Sequence, residues 1–381
     1  MGYATTVWPF ARFDSTSDPA YEYVQGAVAN EGLGAAGFYP QSSPTMDMTV
    51  GIERGAGNSL RLFSVAPVDV VGAMTQGIGD SATGTNASAQ GTATTAAGEG
   101  AHAEGVGAIA YLRAGHAEGE STVANGIAAH AEGSACVADG DASHAEGQEV
   151  SVAGWASHGE GYQTMVDGAD FAHVEGQTTY VSGVAAHAEG QETFAFSEAG
   201  HAEGLRSVAE DVASHAEGID SDAVLPGSHA SASGCWQSAG DAQCSSVVLR
   251  GSTPGLVAGE SVELLAGSAL EGMLYSWDQH DYLLIVECVA ASMYARASFR
   301  QSFLCHCTQG HIGHPGTLTI VAVGTQENLA STLAATWTLT ASIGASPRRF
   351  KLVFGTGLAT IATVQCVCNV RVVETLWIQP P

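Results

Sequence analysis

The chain has 381 residues, room for two or three domains, with 48 glycines and only 13% charged residues. Twelve basic residues stand against 39 acids, a formal charge of −27, which excludes the basic face that nucleic-acid binding needs. No run of roughly 18 apolar residues marks a membrane span, and the start, Met1-Gly2-Tyr3-Ala4-Thr5-Thr6-Val7-Trp8-Pro9, has no secretory signal pattern.

Residues 1–73 carry no repeat. Pro9, Pro19, Pro40, Pro44 and Pro67 punctuate short apolar runs such as Leu60-Arg61-Leu62-Phe63. This composition predicts irregular β-structure that caps the next domain or attaches the chain to a larger particle.

Residues 74–243 are a repeat. Met74-Thr75-Gln76-Gly77, Ser81-Ala82-Thr83-Gly84, Ser88-Ala89-Gln90-Gly91 and Thr95-Ala96-Ala97-Gly98 open it at seven-residue steps. A histidine then recurs every fourteen residues from His102 to His229, with a single fifteen-residue step between His158 and His173. A period this short and regular predicts a solenoid with one repeat per rung. Each rung is two half-rungs: a near-constant His-Ala-Glu-Gly and a looser one such as Val123-Ala124-Asn125-Gly126. Strand alternation puts His and Glu on the outer face and Ala inside. Glycine serves the turns, either at positive φ or where backbones approach closely. The extra residue is placed in the turn around Ala169-Asp170-Phe171-Ala172, which leaves the ladder in register on both sides. Of the acids, 24 fall between residues 74 and 242 against two arginines, Arg113 and Arg206, so most of the charge sits in the repeat. An alanine-lined coil buries too little apolar surface to offset about 1–2 kcal/mol of ordering entropy per residue. Association of several chains is therefore expected, with three the natural number for a rod.

The ladder is the main candidate site: His102/Glu104, His116/Glu118, His130/Glu132, His144/Glu146, His158/Glu160, His173/Glu175, His187/Glu189, His201/Glu203 and His215/Glu217. Carboxylates stacked about 4.8 Å apart repel by about 3.5 kcal/mol per neighbouring pair at an effective dielectric near 20. Histidine on the same face is the available partner. The architectural reading makes the ladder an inter-subunit seam of His–Glu pairs, with the variable half-rung facing solvent. A neighbouring glutamate is then expected to raise the histidine pKa, so that stability declines as pH rises. The alternatives are cation binding, since both side chains are good ligands, and catalysis by paired carboxylates. There is no Gly-x-Ser-x-Gly elbow, no His-Glu-x-x-His and no phosphate loop, and the expectation is a protein that is not an enzyme.

The half-rungs on their fourteen-residue period resemble the head repeats of trimeric autotransporter adhesins. The His-Ala-Glu-Gly variant is similar to repeats of bacteriophage tail fibre and spike proteins. The resemblance covers about residues 74–242. It implies a β-roll wound from three chains, and a place on a virion tail rather than on a bacterial surface.

Residues 244–381 turn to alternating β-branched runs, among them Tyr282-Leu283-Leu284-Ile285-Val286, Thr317–Val323, Thr336–Thr340, Phe350–Phe354 and Thr363–Val373. These predict an antiparallel sandwich or jelly roll. It resembles a module at the distal end of tail-associated phage proteins. Cys305-His306-Cys307 and Cys366-Val367-Cys368 each place two sulfurs on one strand face. On adjacent strands the four would form a zinc site or two cross-strand disulfides, although buried core cysteine is the commoner outcome. Loops 306–316 and 343–349, with His311, His314, Arg348 and Arg349, are the candidate receptor-binding tip.

The fold class expected is therefore all-β: a trimeric parallel β-roll shaft of fourteen-residue rungs followed by an antiparallel sandwich. The function expected is that of a tail fibre or spike in the extracellular virion, adhering to a host surface glycan or protein. Its partners are copies of itself and other tail or baseplate proteins, without nucleic acid or membrane insertion. No cofactor is required, zinc or another cation at the ladder or the cysteines being the alternative. A polysaccharide depolymerase and a bacterial adhesin are the rival functions.

Overall fold

Among its described residues the computed structural model is all-β and contains no helix. These residues are 73–237 and 239–253, the strands and short flanks at 261–265, 274–275, 280–292, 296–307, 318–331, 337–343, 349–356 and 364–376, and four strands within 1–72. Those four, Tyr21–Val24, Ala35–Pro40, Gly51–Arg54 and Leu60–Phe63, pair as an antiparallel meander. Met1–Gly72 is one compact unit and Ala73–Pro381 the other.

In the second unit each repeat forms a five-residue strand, such as His116–Glu120, and a two-residue strand, such as Val123–Ala124. Long strands stack only on long strands and short on short, all parallel. His116 pairs with His130, Glu118 with Glu132, and Val123 with Val137. The result is a flattened coil of two parallel sheets. The inward alanine of each strand is fully buried, as at Ala117, Ala124, Ala131 and Ala138. Small inward residues let the two sheets approach closely; Val150, Val152, Val166 and Val174 thicken the core near mid-shaft.

The fifteen-residue step lies where its turn was expected. His158 pairs with His173 and Met165 with Tyr180, whereas Ser151 still pairs with Met165 and His173 with His187 at a spacing of fourteen. The extra residue therefore falls between Val166 and His173, and the ladder register survives on both sides.

Of the two roles open to glycine, close approach between rungs is the one met inside the strands, while Gly79, Gly100, Gly107 and Gly227 sit at left-handed corners. Gly119, inside a long strand, has φ +114°, and a Cβ there would lie 2.0 Å from the Gly133 carbonyl oxygen of the next rung. Most of the tight left-handed corners are occupied by other residues, among them Ala114 (φ 56°), Ser121 (φ 57°), Ala128 (φ 56°) and Glu149 (φ 57°). Glycine marks the close approach between rungs, and the corners tolerate a side chain because it points into open space.

The long-strand sheet does not end with the repeat. Its last strand, His229–Ser233, pairs antiparallel with Gln243–Thr253, which pairs with Val364–Leu376. That strand pairs with His280–Ala291, then follow Arg296–Cys307 and Leu318–Ser331. A second, smaller sheet joins Ser261–Glu263, Leu274–Tyr275 and Trp337–Ile343 to Arg349–Thr356. Leu249, Leu284, Val286, Phe299, Trp337, Leu339, Leu352, Phe354 and Val370 share one core between the two sheets. The ring centroids of Phe299 and Phe354 stand 6.3 Å apart across it. Leu225 of the last rung packs into the same cluster, so the sandwich closes the apolar end of the shaft.

Candidate functional site

The parallel register turns the outward histidines into one column. Successive ring centroids lie 4.6–4.9 Å apart from His102 to His229, and all but the first pair are stacked. The glutamates form a parallel column beside them. In the early rungs each histidine faces the glutamate of its own rung, with Nε2 to carboxylate distances of 3.4 Å at His102–Glu104, 3.7 Å at His116–Glu118 and 3.8 Å at His130–Glu132. His144–Glu146 and His187–Glu189 follow at 3.7 and 3.9 Å. Near the end the pattern changes. Glu203 reaches forward to His215 at 3.7 Å, and Glu217 to His229 at 3.3 Å. His201 with Glu203 and His215, and His215 with Glu217 and His229, are triads whose donor atoms all lie within 4.8 Å of one another.

Within one chain most of these contacts are longer than hydrogen bonds. A His–Glu hydrogen bond forms at His102–Glu104. The Nε2 atoms of His116, His130, His144, His158, His173, His187, His201 and His215 are covered and have no hydrogen-bond partner. At mid-shaft the His–Glu contact within one chain is absent. Glu160 and Glu175 keep their places in the carboxylate column, in register with each other. Both are exposed, and neither Glu160 with His158 nor Glu175 with His173 forms a hydrogen bond through the imidazole Nε2. An exposed carboxylate is well hydrated and gains little from a neutral imidazole, so these two glutamates act on His173 only through their charge.

The expected rise in histidine pKa is corrected. His130, His144, His173, His187 and His215 are all held below the ordinary histidine value, first by burial and then by the histidines stacked on them. The neighbouring glutamates, Glu160 and Glu175 at His173 among them, pull the other way and lose, because each imidazolium would sit against another. In the measured pairs the side chains remain partly open to solvent, the histidines at 31–47% and the glutamates at 38–53%.

The short-strand sheet holds what the sequence reading missed. The first residue of each two-residue strand points outward, and the column runs Ile109, Val123, Val137, Ser151, Met165, Tyr180, Phe194, Val208 in register. The corner that follows adds exposed Tyr111, Leu112, Ile127, Trp155, Phe171, Val184, Phe196 and Val212. Trp155 and Phe171 meet edge-on at 4.8 Å, and the Phe194 and Phe196 rings lie 6.0 Å apart. The left-handed positions of the corner after the long strands carry small or polar residues, Ala93, Gly107, Ser121, Ala135, Glu149, Gln163, Thr178, Glu192, Arg206 and Asp220. Asp220 is buried there against Arg206, whose Nε and Nη2 donate to it at 2.6 and 2.9 Å. The flank after the short strands thus carries more exposed large apolar side chains than the other, where Ile78, Val106, Tyr162 and Ile219 are exposed at long-strand ends. The signal was legible in the apolar residue before each short-strand alanine, but its variation between repeats reads as solvent exposure when the register is unknown.

At the sandwich, the two Cys-x-Cys strands are not neighbours: His280–Ala291 runs between them. Cys305 pairs with Tyr282, while Cys366 pairs with Ala290 eight residues further along that strand. The four-sulfur gathering conceived for adjacent strands therefore does not form. Cys368 is instead disulfide-bonded to Cys288, with the Cys366 Sγ 3.1 Å from that of Cys288. Burial pushes the Cys305 and Cys366 thiols up to about 12. Cys307 closes the strand Arg296–Cys307 and Arg349 opens Arg349–Thr356. His311, His314 and Arg348 lie outside the described residues.

No family model and no curated protein matches the chain. Two phage tailspikes are among the solved structures similar to it. The tailspike protein of Acinetobacter baumannii phage AM24 is 9% identical, with 93% of this chain and 91% of that one covered at a TM-score of 0.27. A tailspike of Acinetobacter baumannii bacteriophage Fri1, described as a capsular polysaccharide depolymerase, is also 9% identical. Its match covers 76% of this chain and 47% of that one at a TM-score of 0.20. Both are phage tailspikes. The expectation that this chain is not an enzyme is corrected here, because one of the two is described as a depolymerase; slender rungs and missing motifs do not exclude such chemistry. At these TM-scores no activity is carried from either structure to residues of this chain.

Proposed function

We propose that the chain is the shaft and distal sandwich of a homotrimeric phage tail spike, which places the sandwich against a host surface glycan or protein. The observation that carries this reading is the apolar flank of the short-strand sheet. A chain of charge −27 that exposes this many large apolar side chains along one flank, even with Glu99, Asp139, Asp141, Asp167, Glu198 and Glu210 exposed among them, needs them covered. Three copies turned about the rod axis cover them with the same residues from each chain and leave no free end. Nine large apolar side chains on this flank, Met165 and the eight at the corner, are exposed by more than a third, and burying each contributes about 1 kcal/mol or more.

In this arrangement the short-strand flank, rather than the ladder, is the seam between chains, and the His–Glu face looks outward. The continuous sheet from shaft into sandwich gives a stiff mount for the distal domain, and three linked copies of a weak site gain avidity without new contacts. The repeat's similarity to phage spike repeats supports a virion location, attached through the N-terminal segment to other tail or baseplate proteins. Antibody raised against residues 244–381 should decorate tail appendages of the particle and block adsorption to host cells. Labelling of the capsid shell, or adsorption unaffected by the antibody, would overturn the proposal. Incubating the purified trimer with host surface polysaccharide separates binding from cleavage.

A further inference from the structure

The ladder changes character at its C-terminal end. Up to His187–Glu189 the measured contacts join a histidine to the glutamate of its own rung. From Glu203 onward the carboxylate turns to the next rung, so that Glu203 lies between His201 and His215, and Glu217 between His215 and His229. Each arrangement offers two imidazole nitrogens and one carboxylate oxygen, the donor set that suits late first-row divalent ions. The carboxylate-to-imidazole spacing suits one as well, and the two imidazoles of each triad, stacked with centroids 4.6 Å apart, would turn toward each other to share it. A tetrahedral ion about 2.0–2.1 Å from each ligand holds them about 3.3–3.4 Å apart, against 3.3 Å for Glu217–His229 and 3.7 Å for Glu203–His215.

Two further observations point the same way. The Nε2 atoms of His201 and His215 make no hydrogen bond, a state shared with six histidines earlier in the column, and only at these rungs does a carboxylate lean forward to a second imidazole. Alongside runs an open groove lined by Glu189, Glu203 and Glu217, with glycines 190, 204 and 218 between them and Ser231 at its end. The net charge of −27 draws cations toward it.

We propose that His201, Glu203, His215, Glu217 and His229 form a binding site for one divalent transition-metal ion per chain, of the zinc class. The number follows from His215, which belongs to both triads. Its Nε2 has one lone pair and serves one ion at a time. The ion ties neighbouring rungs together next to the sandwich, where His229-Ala230-Ser231-Ala232 departs from the repeat.

The test uses the full chain, stripped with chelator and titrated with Zn2+ against a competing indicator dye. One tight equivalent per chain is expected. His215→Ala, which breaks both triads, should weaken it at least tenfold, while His201→Ala and His229→Ala singly retain it because each leaves one triad whole. His144→Ala removes a ladder histidine outside the triads and should bind as the parent does. Glu203→Gln together with Glu217→Gln keeps every histidine and should also lose the site, which separates ligation from loss of the imidazole stack. Circular dichroism confirms that each variant is folded. Unchanged affinity in His215→Ala, or equal binding at every rung, overturns the proposal.

Discussion

Gly119→Ala and Gly107→Ala are the same substitution in adjacent parts of the coil, yet they should differ severalfold in cost. At Gly119 the new Cβ would stand 2.0 Å from the Gly133 carbonyl oxygen and 2.9 Å from its carbon, with φ at +114°. No rotamer relieves that overlap, because both partners are backbone in a ladder fixed from either side. Left-handed strain alone costs about 1–2 kcal/mol, and forcing the two rungs apart loses ladder hydrogen bonds worth about 1 kcal/mol each. A total of about 3–5 kcal/mol follows from these two terms. At Gly107 φ is +68° and the nearest atom to a new Cβ is 3.9 Å away. The equivalent corner positions Ala93, Ser121 and Ala135 already carry side chains at φ 55–57°. There left-handed strain of about 1–2 kcal/mol is only partly offset by the stiffer unfolded chain, leaving a loss of about 1 kcal/mol. Urea unfolding followed by circular dichroism measures both. Equal costs at the two positions would refute the view that rung contact, more than corner formation, requires glycine.

The histidine column gives a signed pH dependence. The folded-state pKa of His130, His144, His173, His187 and His215 lies below the ordinary value of 6.5, so the unfolded chain takes up protons first as pH falls. Their neutral-state stability is fully present above about pH 6.5 and is lost on acidification through the folded pKa; the melting temperature should fall between about pH 7.5 and 5.5, and a rise over that window would restore the ion-pair account. Phe194→Asp on the apolar flank should shift the mass of the assembly toward single chains, whereas His116→Asn on the ladder should not; the reverse pattern would move the seam to the ladder. The Cys288–Cys368 bridge spans 80 residues, a loop whose closure contributes about 4.5 kcal/mol in the chain-entropy account, so Cys288→Ala should cost the sandwich several kcal/mol in thermal or urea unfolding. Iodoacetamide at about pH 8 should modify exposed Cys244 while sparing buried Cys305 and Cys366; peptide mapping that finds Cys366 modified as fast would contradict its burial.

What was legible in the sequence was whatever the fourteen-residue period controls. The period implies in-register stacking of His116 on His130, alanines inward, and an inserted residue absorbed in the turn after Val166, and the structure has all three. What escaped depends on distances that a period does not encode. The direction in which Glu203 and Glu217 lean is set by rotamers near the end of the column, and the exposure of Glu160 and Glu175 without a bonded histidine is likewise a matter of rotamer and hydration. The sign of the histidine shifts depends on burial and on stacked rings 4.6–4.9 Å apart outweighing the carboxylates beside them. The apolar flank was hidden because its residues change identity from Val123 to Tyr180 to Phe194 while keeping the same position. In the sandwich, strand order is non-local: His280–Ala291 inserts between the two Cys-x-Cys strands, and nothing in their spacing announces it.

The mass of the intact purified protein in solution tests the central claim most directly. Light scattering should return three times the 38.7 kDa of one chain, with Phe194→Asp reducing it. A wild-type protein that is folded, stable and of single-chain mass would leave the apolar flank exposed to water, and would contradict the account of a shared shaft.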